Sequence, residues 1–349
     1  MARWNVIATR VRAARERVLA PPRRRRFVVA AATSLLVAAV VLTVPVSGGP
    51  ASGVAGGAGG RALVDPALAD PGLGGLDSAN RGLRGWSATG HELAVGGLKR
   101  GYLVVRPTLA APGPMPVVVM LHGRGMTPTA MVRRAGLLSM RDVVLVVPAG
   151  YGRSWNAGDC CAAARRAHVD DVGFVSAVVQ QVLRLQPGTD PHQVYLIGYS
   201  NGGRMAYRMA CQRPGLFAGV AAIEAVPMDA CRTVGRPVSL LVVASTADPL
   251  LRLTDAAPPR RIEGSPQPSV EGAVAVWRAL DGCTGDPRRT VTGGLTSQVW
   301  TSCRGGSRVG YDTYLGGSHA WPAGSATTPG ALWQIWSFLR PEAVPEGPA

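Results

Sequence analysis

The chain has 349 residues, a formal net charge of +16 and a hydrophobic fraction of 47%. This length allows one large domain or two small ones, with enough apolar residues for a sizeable core. The charge does not indicate a nucleic-acid-binding protein, because nine arginines and one glutamate lie within residues 1–26 and the other basic residues are spread thinly, without a basic stripe interleaved with aromatics. We therefore predict no nucleic-acid partner.

The basic tail, residues 1–26, is predicted to be cytoplasmic and is followed by an uncharged stretch, Phe27–Val46. As an α-helix, with a rise of about 1.5 Å per residue, this stretch would be about as long as the hydrocarbon core of a bilayer is thick, roughly 30 Å. Arg23–Arg26 directly precede the stretch, which predicts a cytoplasmic N-terminus and an extracytoplasmic remainder. The alternative is a cleaved signal segment, although the stretch exceeds the usual apolar region of about 7–15 residues and no clean A-x-A site follows. The protein is thus expected at the cell membrane, or secreted if the segment is cleaved.

Three further regions follow from composition. Residues 47–85 are dominated by Gly, Ala and Pro and are predicted to be a flexible linker. Residues 86–340 are predicted to form the folded domain, and residues 341–349 a disordered tail. No internal repeat is found.

The region 86–340 alternates apolar strand-like runs with helical patterns. We predict strands at Leu93–Val95, Gly101–Val105, Val117–Leu121, Val143–Val147, Val194–Ile197, Gly219–Ile223 and Val238–Ala244. We predict helices starting at Asp171, with Asp170 or Asp171 as the N-cap, and over Ala273–Leu280 and Leu332–Leu339. This alternation predicts an α/β fold with a doubly wound, mostly parallel sheet.

The segment Gly198-Tyr199-Ser200-Asn201-Gly202 lies between the Val194–Ile197 strand and a helical stretch. A serine at a tight strand-to-helix turn, flanked by glycines, is the pattern of a nucleophile elbow. The glycines are expected there because a Cβ would collide with the elements packed against the turn. Ser200 is therefore the predicted nucleophile.

A serine nucleophile needs a base and an orienting acid, which in this fold follow it in the order acid, then histidine. His319 is the only histidine after Ser200, and it lies in a glycine-rich loop that follows a strand-like run. Asp248 follows the strand Val238–Ala244 and is the predicted acid, with Asp229 and Asp255 as alternatives.

The oxyanion hole requires two backbone N–H groups. Asn201, directly after the nucleophile, is predicted to supply one. Arg124, in the turn that follows the Val117–Leu121 strand, is predicted to supply the other. His122 in the same turn is then expected to be structural, with its hydrogen bonds inside the loop.

Six cysteines in an exported chain indicate disulfides, and the absence of a C-x-x-C pair argues against structural zinc, so no metal is predicted. Cys283 and Cys303 are the expected pair, because they bracket a short turn-rich excursion. A bond between Cys160 and Cys161 would strain the backbone, so these two are expected to reach Cys211 and Cys231 in an order that the sequence leaves open.

Six motifs recur in a recognisable order: LHGRGMT at 121–127, GRSWNAGDCC at 152–161, VDDVGF at 169–174, GYSNGG at 198–203, MAC at 209–211 and GSHAWP at 317–322. Together they resemble the polyhydroxybutyrate depolymerase / feruloyl esterase family of α/β-hydrolases. The resemblance covers roughly residues 90–340. It implies an extracellular carboxylic ester hydrolase with no metal or organic cofactor, with Ser200 as nucleophile, Asp248 as acid and His319 as base. The family usually has the motif His-Gly-x-x-Asp, which ends at the acid. In this chain Ala244–Asp248 keeps the aspartate but has different residues at the opening positions of the motif.

The predicted activity is ester hydrolysis through an acyl-enzyme, on feruloyl or acetyl groups of polysaccharides, on polyhydroxyalkanoates or on acyl esters of the cell envelope. Trp155 and Trp321 are candidate substrate contacts, since an indole face suits a phenolic acyl group or an apolar polyester, and simple packing is their alternative role. Asn156 is a candidate for positioning the substrate. Two other functions remain open: a catalytically silent envelope-binding protein on this fold, and a peptidase on this fold.

Overall fold

The computed structural model describes Leu83 and residues 85–109, 112–232 and 235–341. The predicted basic tail, the apolar stretch Phe27–Val46, nearly all of the predicted linker and residues 342–349 lie outside these ranges. Among the described residues, no helix combines the length and apolar character that crossing a bilayer requires.

The described chain alternates strands and helices. The strands are β1 Trp86–Val95, β2 Leu98–Pro107, β3 Met115–Leu121, β4 Val144–Pro148, β5 Thr189–Tyr199, β6 Gly219–Ile223, β7 Ser239–Ser245, β8 Arg260–Ile262, β9 Ser265–Gln267, β10 Arg288–Thr292, β11 Leu295–Trp300 and β12 Val309–Tyr314. The helices are α1 Pro128–Arg134, α2 Ala162–Arg166, α3 Asp171–Leu185, α4 Asn201–Gln212, α5 Val270–Leu280 and α6 Ala331–Leu339.

The main sheet has ten strands in the order β1-β2-β4-β3-β5-β6-β7-β12-β11-β10. Its centre, from β4 to β12, is parallel throughout, whereas β1, β2, β11 and β10 pair antiparallel at the two edges. The short strands β8 and β9 form a separate hairpin. The prediction of a doubly wound, mostly parallel sheet is confirmed.

Helices pack on both faces of this sheet, and the alternation of side chains along β3 shows how. Val117 and Val119 belong to a core with α3, α4 and α5, whereas Val118 and Met120 belong to a core with α1 and α6. All seven residues of β3 are buried, because both of its faces are covered. The carboxyl ends of β5, β6 and β7 therefore meet at one edge of a sheet that is covered on both sides.

Helix α3 is anchored to the sheet by a buried ion pair. Asp170 is the N-cap, and its side chain accepts a hydrogen bond from Gly173 N–H. Asp171 lies inside the first turn, 2.6 Å from the guanidinium of Arg100 on β2, and Arg100 also covers the ring of Phe174 at 3.8 Å. Removing one partner of such a buried pair typically costs about 3–5 kcal/mol.

The disulfides match the prediction only in part. Cys283 and Cys303 are bonded, as expected. Cys211, at the end of α4, is bonded to Cys231 in the loop after β6, across a Cα–Cα distance of 5.8 Å. The prediction that Cys160 and Cys161 would reach these two is wrong, because Cys211 and Cys231 are close enough to bond each other. Cys160 and Cys161 are then left with one another and form a vicinal disulfide.

Candidate active site

Ser200 lies at the turn between β5 and α4, with φ 54° and ψ −117°. Its N–H donates to the carbonyl of Ile223 on β6 at 2.8 Å, which ties the turn to the neighbouring strand. A Cβ on Gly198 would overlap the carbonyl of Gly202, and a Cβ on Gly202 would overlap the carbonyl of Leu121. The flanking glycines are therefore required by close backbone packing, and the serine takes up the positive φ of a nucleophile elbow.

The three predicted catalytic side chains meet at the carboxyl edge of the sheet. Ser200 Oγ lies 2.7 Å from His319 Nε2, and His319 Nδ1 lies 2.6 Å from Asp248 Oδ2. The Asp248 side chain is fully buried, and that of His319 is 18% exposed. In this arrangement the serine hydroxyl can pass its proton to the imidazole. The carboxylate can then stabilise the resulting imidazolium.

The loop that carries His319 follows β12 and is held against the elbow. The phenol of Tyr199 donates to the His319 carbonyl at 3.0 Å, and the Tyr199 and His319 rings stack at 5.9 Å. Tyr199 directly precedes Ser200 in the chain. The same residue therefore fixes the distance between the serine and the loop of the histidine.

Asp248 lies in the turn after β7, where it accepts a hydrogen bond from Leu250 N–H at 2.7 Å. Burial acts to raise the pKa of Asp248, but hydrogen bonds from His319, Glu224 and Leu250 outweigh it and hold that pKa below its ordinary value. The alternatives for the acid are engaged elsewhere. Asp229 pairs with Arg208 at 3.5 Å, and the largely exposed Asp255 pairs with Arg252 at 3.1 Å.

The predicted oxyanion turn contains a histidine that is locked in one tautomer. His122 Nε2 accepts from Gly150 N–H at 2.9 Å, so its Nδ1 donates to the Gly123 carbonyl, also at 2.9 Å. Burial lowers the pKa of His122 to about 4, which keeps the ring neutral at ordinary pH. His122 is thus structural, as expected, but only its Nδ1 bond lies inside the turn, because its Nε2 bond joins the turn to Gly150 in the loop after β4.

The two predicted oxyanion donors are the backbone N–H groups of Asn201, directly after the serine, and of Arg124, in the turn after β3. Within the described part of the chain, neither N–H has a hydrogen-bond acceptor. The Arg124 side chain points to solvent, with 64% of its surface exposed, and approaches Glu263 at 3.6 Å.

The predicted substrate contacts separate into different roles. Trp155 has no exposed surface, and its indole N–H donates to the His122 carbonyl at 2.9 Å. Its prediction as a substrate contact is therefore wrong, because the ring packs beneath the oxyanion turn. The Asn156 side chain donates to the Val169 carbonyl at 2.9 Å and is half-buried. Trp321 packs edge-on against Tyr199 and lines a cavity of about 560 Å³ together with Arg134.

Glu224, which the sequence reasoning missed, is a fourth polar residue at this site. It directly follows β6, has no exposed surface and adopts φ 48°. Its carboxyl accepts hydrogen bonds from Ser245 Oγ at 2.5 Å and from Ser245 N–H at 3.1 Å. A glutamate at the end of the buried run Gly219–Ile223 is the sequence signal that could have identified it.

Glu224, Asp248 and His319 each offer a possible metal-ligand atom within 4.8 Å of the others. Both ring nitrogens of His319 are already used, however, by Ser200 and by Asp248. The two carboxyl groups are also engaged, Glu224 by the hydroxyl and N–H of Ser245 and Asp248 by the N–H of Leu250. These three side chains are therefore better suited to a hydrogen-bonded network than to binding a metal ion.

A serine elbow at the carboxyl edge of a doubly wound sheet is the architecture of an α/β-hydrolase. In agreement, a family model described as "alpha/beta hydrolase fold" matches residues 116–251. Among solved structures, acetyl xylan esterase from Aspergillus awamori superposes with a TM-score of 0.53 at 12% identity, covering 72% of this chain and 98% of that one. At that identity, the likeness concerns the fold alone.

Curated relatives define the family. NocK of Nocardia uniformis subsp. tsuyamanensis, which carries the name of an esterase, is 33% identical over 261 residues, covering 68% of this chain and 75% of NocK. Feruloyl esterase B of Piromyces equi is 28% identical over 202 residues, covering 56% of this chain and 34% of that enzyme. The chain belongs to the feruloyl-esterase-like family of α/β-hydrolases and is a carboxylic ester hydrolase.

Proposed function

We propose that the protein is an extracytoplasmic serine esterase in which Ser200, His319 and Asp248 form the catalytic triad. One observation carries this proposal: the continuous hydrogen-bonded chain from Ser200 Oγ through His319 to Asp248, with distances of 2.7 and 2.6 Å. The same groups in the same order are what acyl transfer by a serine requires.

In the acylation step, Ser200 Oγ attacks the ester carbonyl carbon and its proton passes to His319 Nε2. The carbonyl oxygen becomes an oxyanion, which the backbone N–H groups of Arg124 and Asn201 stabilise. The C–O bond to the alcohol then breaks, and the imidazolium returns its proton to the leaving alkoxide. Asp248, held ionised by its hydrogen bonds, stabilises the positive ring throughout.

Deacylation repeats these steps with water. A water molecule gives a proton to His319 Nε2 as its oxygen attacks the acyl carbon of the Ser200 ester. The intermediate collapses, the bond to Ser200 Oγ breaks, and the ring proton returns to that oxygen. The products are a carboxylic acid and a regenerated serine, with no cofactor consumed.

For the substrate, we propose feruloyl- or acetyl-type esters, or polyhydroxyalkanoate-type esters. The names of the curated relatives support the feruloyl class. Trp321 contributes an aromatic wall beside the Tyr199–His319 stack. Asn156 is retained as a candidate for positioning the substrate, and its side chain donates to the Val169 carbonyl. The extracytoplasmic location rests on the sequence pattern of residues 1–46, which retains the protein at the membrane or, if cleaved, secretes it.

The proposal is tested with the full-length protein on p-nitrophenyl acetate, methyl ferulate and a soluble 3-hydroxybutyrate oligomer. Ser200→Ala should lower kcat by at least about 10³-fold on every ester that the wild type cleaves. Ser302→Ala is the matched control, because Ser302 is exposed and bonds only through its backbone. Full activity of Ser200→Ala would refute the mechanism. Wild-type protein that cleaves no ester would favour a silent binding protein, and cleavage of peptides alone would favour a peptidase.

A further inference from the structure

Glu224 lies where a second acid could act on the triad, yet the mechanism above does not use it. Its carboxyl group is fully buried at the carboxyl end of β6, beside the β7 end that leads to Asp248. Ser245, the last residue of β7, donates both its hydroxyl and its N–H to the two oxygens of Glu224. Ser245 O in turn accepts from Asp248 N–H at 3.2 Å. Glu224 is thus attached to the same turn that orients Asp248.

The carboxyl groups of Glu224 and Asp248 are also neighbours, because an oxygen of each and a ring nitrogen of His319 all lie within 4.8 Å of one another. Two carboxyl groups can share a hydrogen bond only if one of them carries a proton. Asp248 also accepts from the imidazole of His319, which favours its charged form. The proton must therefore reside on Glu224.

The electrostatics of the site agree with this assignment. Burial, followed by the hydrogen bond to Asp248, raises the pKa of Glu224 to about 9. The other titratable groups around it are His319, Asp248 and Tyr199, whose own pKa is raised chiefly by burial. The buried guanidinium of Arg204 interacts electrostatically with Asp248. No cation in the described chain pairs directly with Glu224.

We propose that Glu224 is a positioning residue: a neutral carboxylic acid that donates its proton to Asp248 and so holds that carboxylate ionised and aimed at His319. The inference rests on the proposed triad. Glu224 acts through Asp248, and the hydrogen bonds that its carboxyl accepts come from Ser245. A neutral acid serves here better than a second carboxylate, because two adjacent negative charges would repel each other.

This role predicts a second ionisation in the activity of the wild type. As the pH rises through about 9, Glu224 loses its proton, the hydrogen bond to Asp248 is lost, and the two carboxylates repel each other. The value of kcat/KM should therefore decline above about pH 9, after correction for spontaneous hydrolysis. A residue with only a packing role would produce no such decline.

The test compares the pH profiles of kcat/KM for p-nitrophenyl acetate in full-length variants. Glu224→Gln keeps the shape and a donor toward Asp248 but cannot ionise, so it should retain at least about a third of the activity at pH 7.5 and lack the alkaline decline. Glu224→Ala removes the donor and should lose about tenfold or more at pH 7.5. Asp312→Asn is the matched control. Asp312 on β12, opposite Ser297 of β11, is another buried carboxyl, and its replacement should leave the decline in place.

Active-site titration with a fluorophosphonate normalises each rate to folded enzyme, and Glu224→Gln alone decides the matter if Glu224→Ala does not fold. An unchanged alkaline decline in Glu224→Gln would overturn the inference, and so would wild-type activity with a wild-type profile in Glu224→Ala. If Ser200→Ala is inactive, either result contradicts the role of Glu224 but remains consistent with the proposed triad. Full activity in Ser200→Ala would instead refute the triad itself.

Discussion

The side-chain amide of Asn201 binds the backbone of Trp155 in both directions. Its Oδ1 accepts from Trp155 N–H at 2.8 Å, and its Nδ2 donates to the Trp155 carbonyl at 3.0 Å. Asn201 follows Ser200 directly and is 2% exposed. This pair therefore joins the elbow to the segment beneath the oxyanion turn, across 46 residues of sequence.

Replacing Asn201 by alanine should lower the free energy of unfolding by about 2–4 kcal/mol. The reason is that the buried Trp155 N–H loses its acceptor, whereas the Trp155 carbonyl keeps a bond from Cys161 N–H at 3.2 Å. Urea unfolding followed by tryptophan fluorescence measures the change. Gln212→Ala, an exposed site on the same helix, is the control and should shift stability by less than about 0.5 kcal/mol. Equal midpoints for Asn201→Ala and wild type would show that this pair does not stabilise the elbow.

Gly202→Ala should destabilise the protein by more than about 3 kcal/mol or prevent folding. Its Cβ would enter the space of the Leu121 and His122 carbonyls, which are backbone atoms of a buried strand end and cannot rotate away. Gly215→Ala is the matched control, because a Cβ at Gly215 meets nothing within 4 Å. The measurement is the thermal unfolding midpoint of the two variants. A midpoint for Gly202→Ala equal to that of Gly215→Ala would contradict the packing described for the elbow.

His122 should make the fold sensitive to acid. The ring is neutral in the folded protein until about pH 4, whereas in the unfolded chain it binds a proton near pH 6.5. Its contribution to stability is thus complete above pH 6.5 and is lost as the pH falls toward 4, by about 3 kcal/mol over the window.

Urea titrations at pH 7 and pH 4.5 test this expectation. His122→Asn should be less stable than wild type at pH 7 but should lose less stability between the two pH values. His192→Asn, at an exposed histidine, should reproduce the wild-type slope. An identical slope for His122→Asn and wild type would mean that His122 is not the group that titrates.

Much of this site could be predicted because its signals are local in sequence. The elbow glycines, the single histidine after Ser200 and the aspartate after a buried strand each identify themselves within a few residues. What could not be predicted depends on contacts between distant segments. Whether Trp155 faces the substrate or the core is decided by the His122 carbonyl, 33 residues away.

The disulfides illustrate the same limit. The partners Cys283 and Cys303 are separated by 20 residues, and so are Cys211 and Cys231, so spacing alone did not identify the second pair. Only the folded positions of α4 and the loop after β6 bring Cys211 to Cys231. Similarly, nothing near Glu224 in sequence indicates that its carboxyl meets Asp248, because that contact depends on the pairing of β6 with β7.

The most direct test of the central proposal, that Ser200 is the nucleophile, is to identify the residue that a fluorophosphonate labels in the folded full-length protein. Intact mass and peptide mapping should show one phosphonyl group per chain, on the oxygen of Ser200. Labelling should vanish in Ser200→Ala, fall strongly in His319→Ala and persist in Ser302→Ala. A stable adduct on a different residue, or wild-type labelling of Ser200→Ala, would contradict the account.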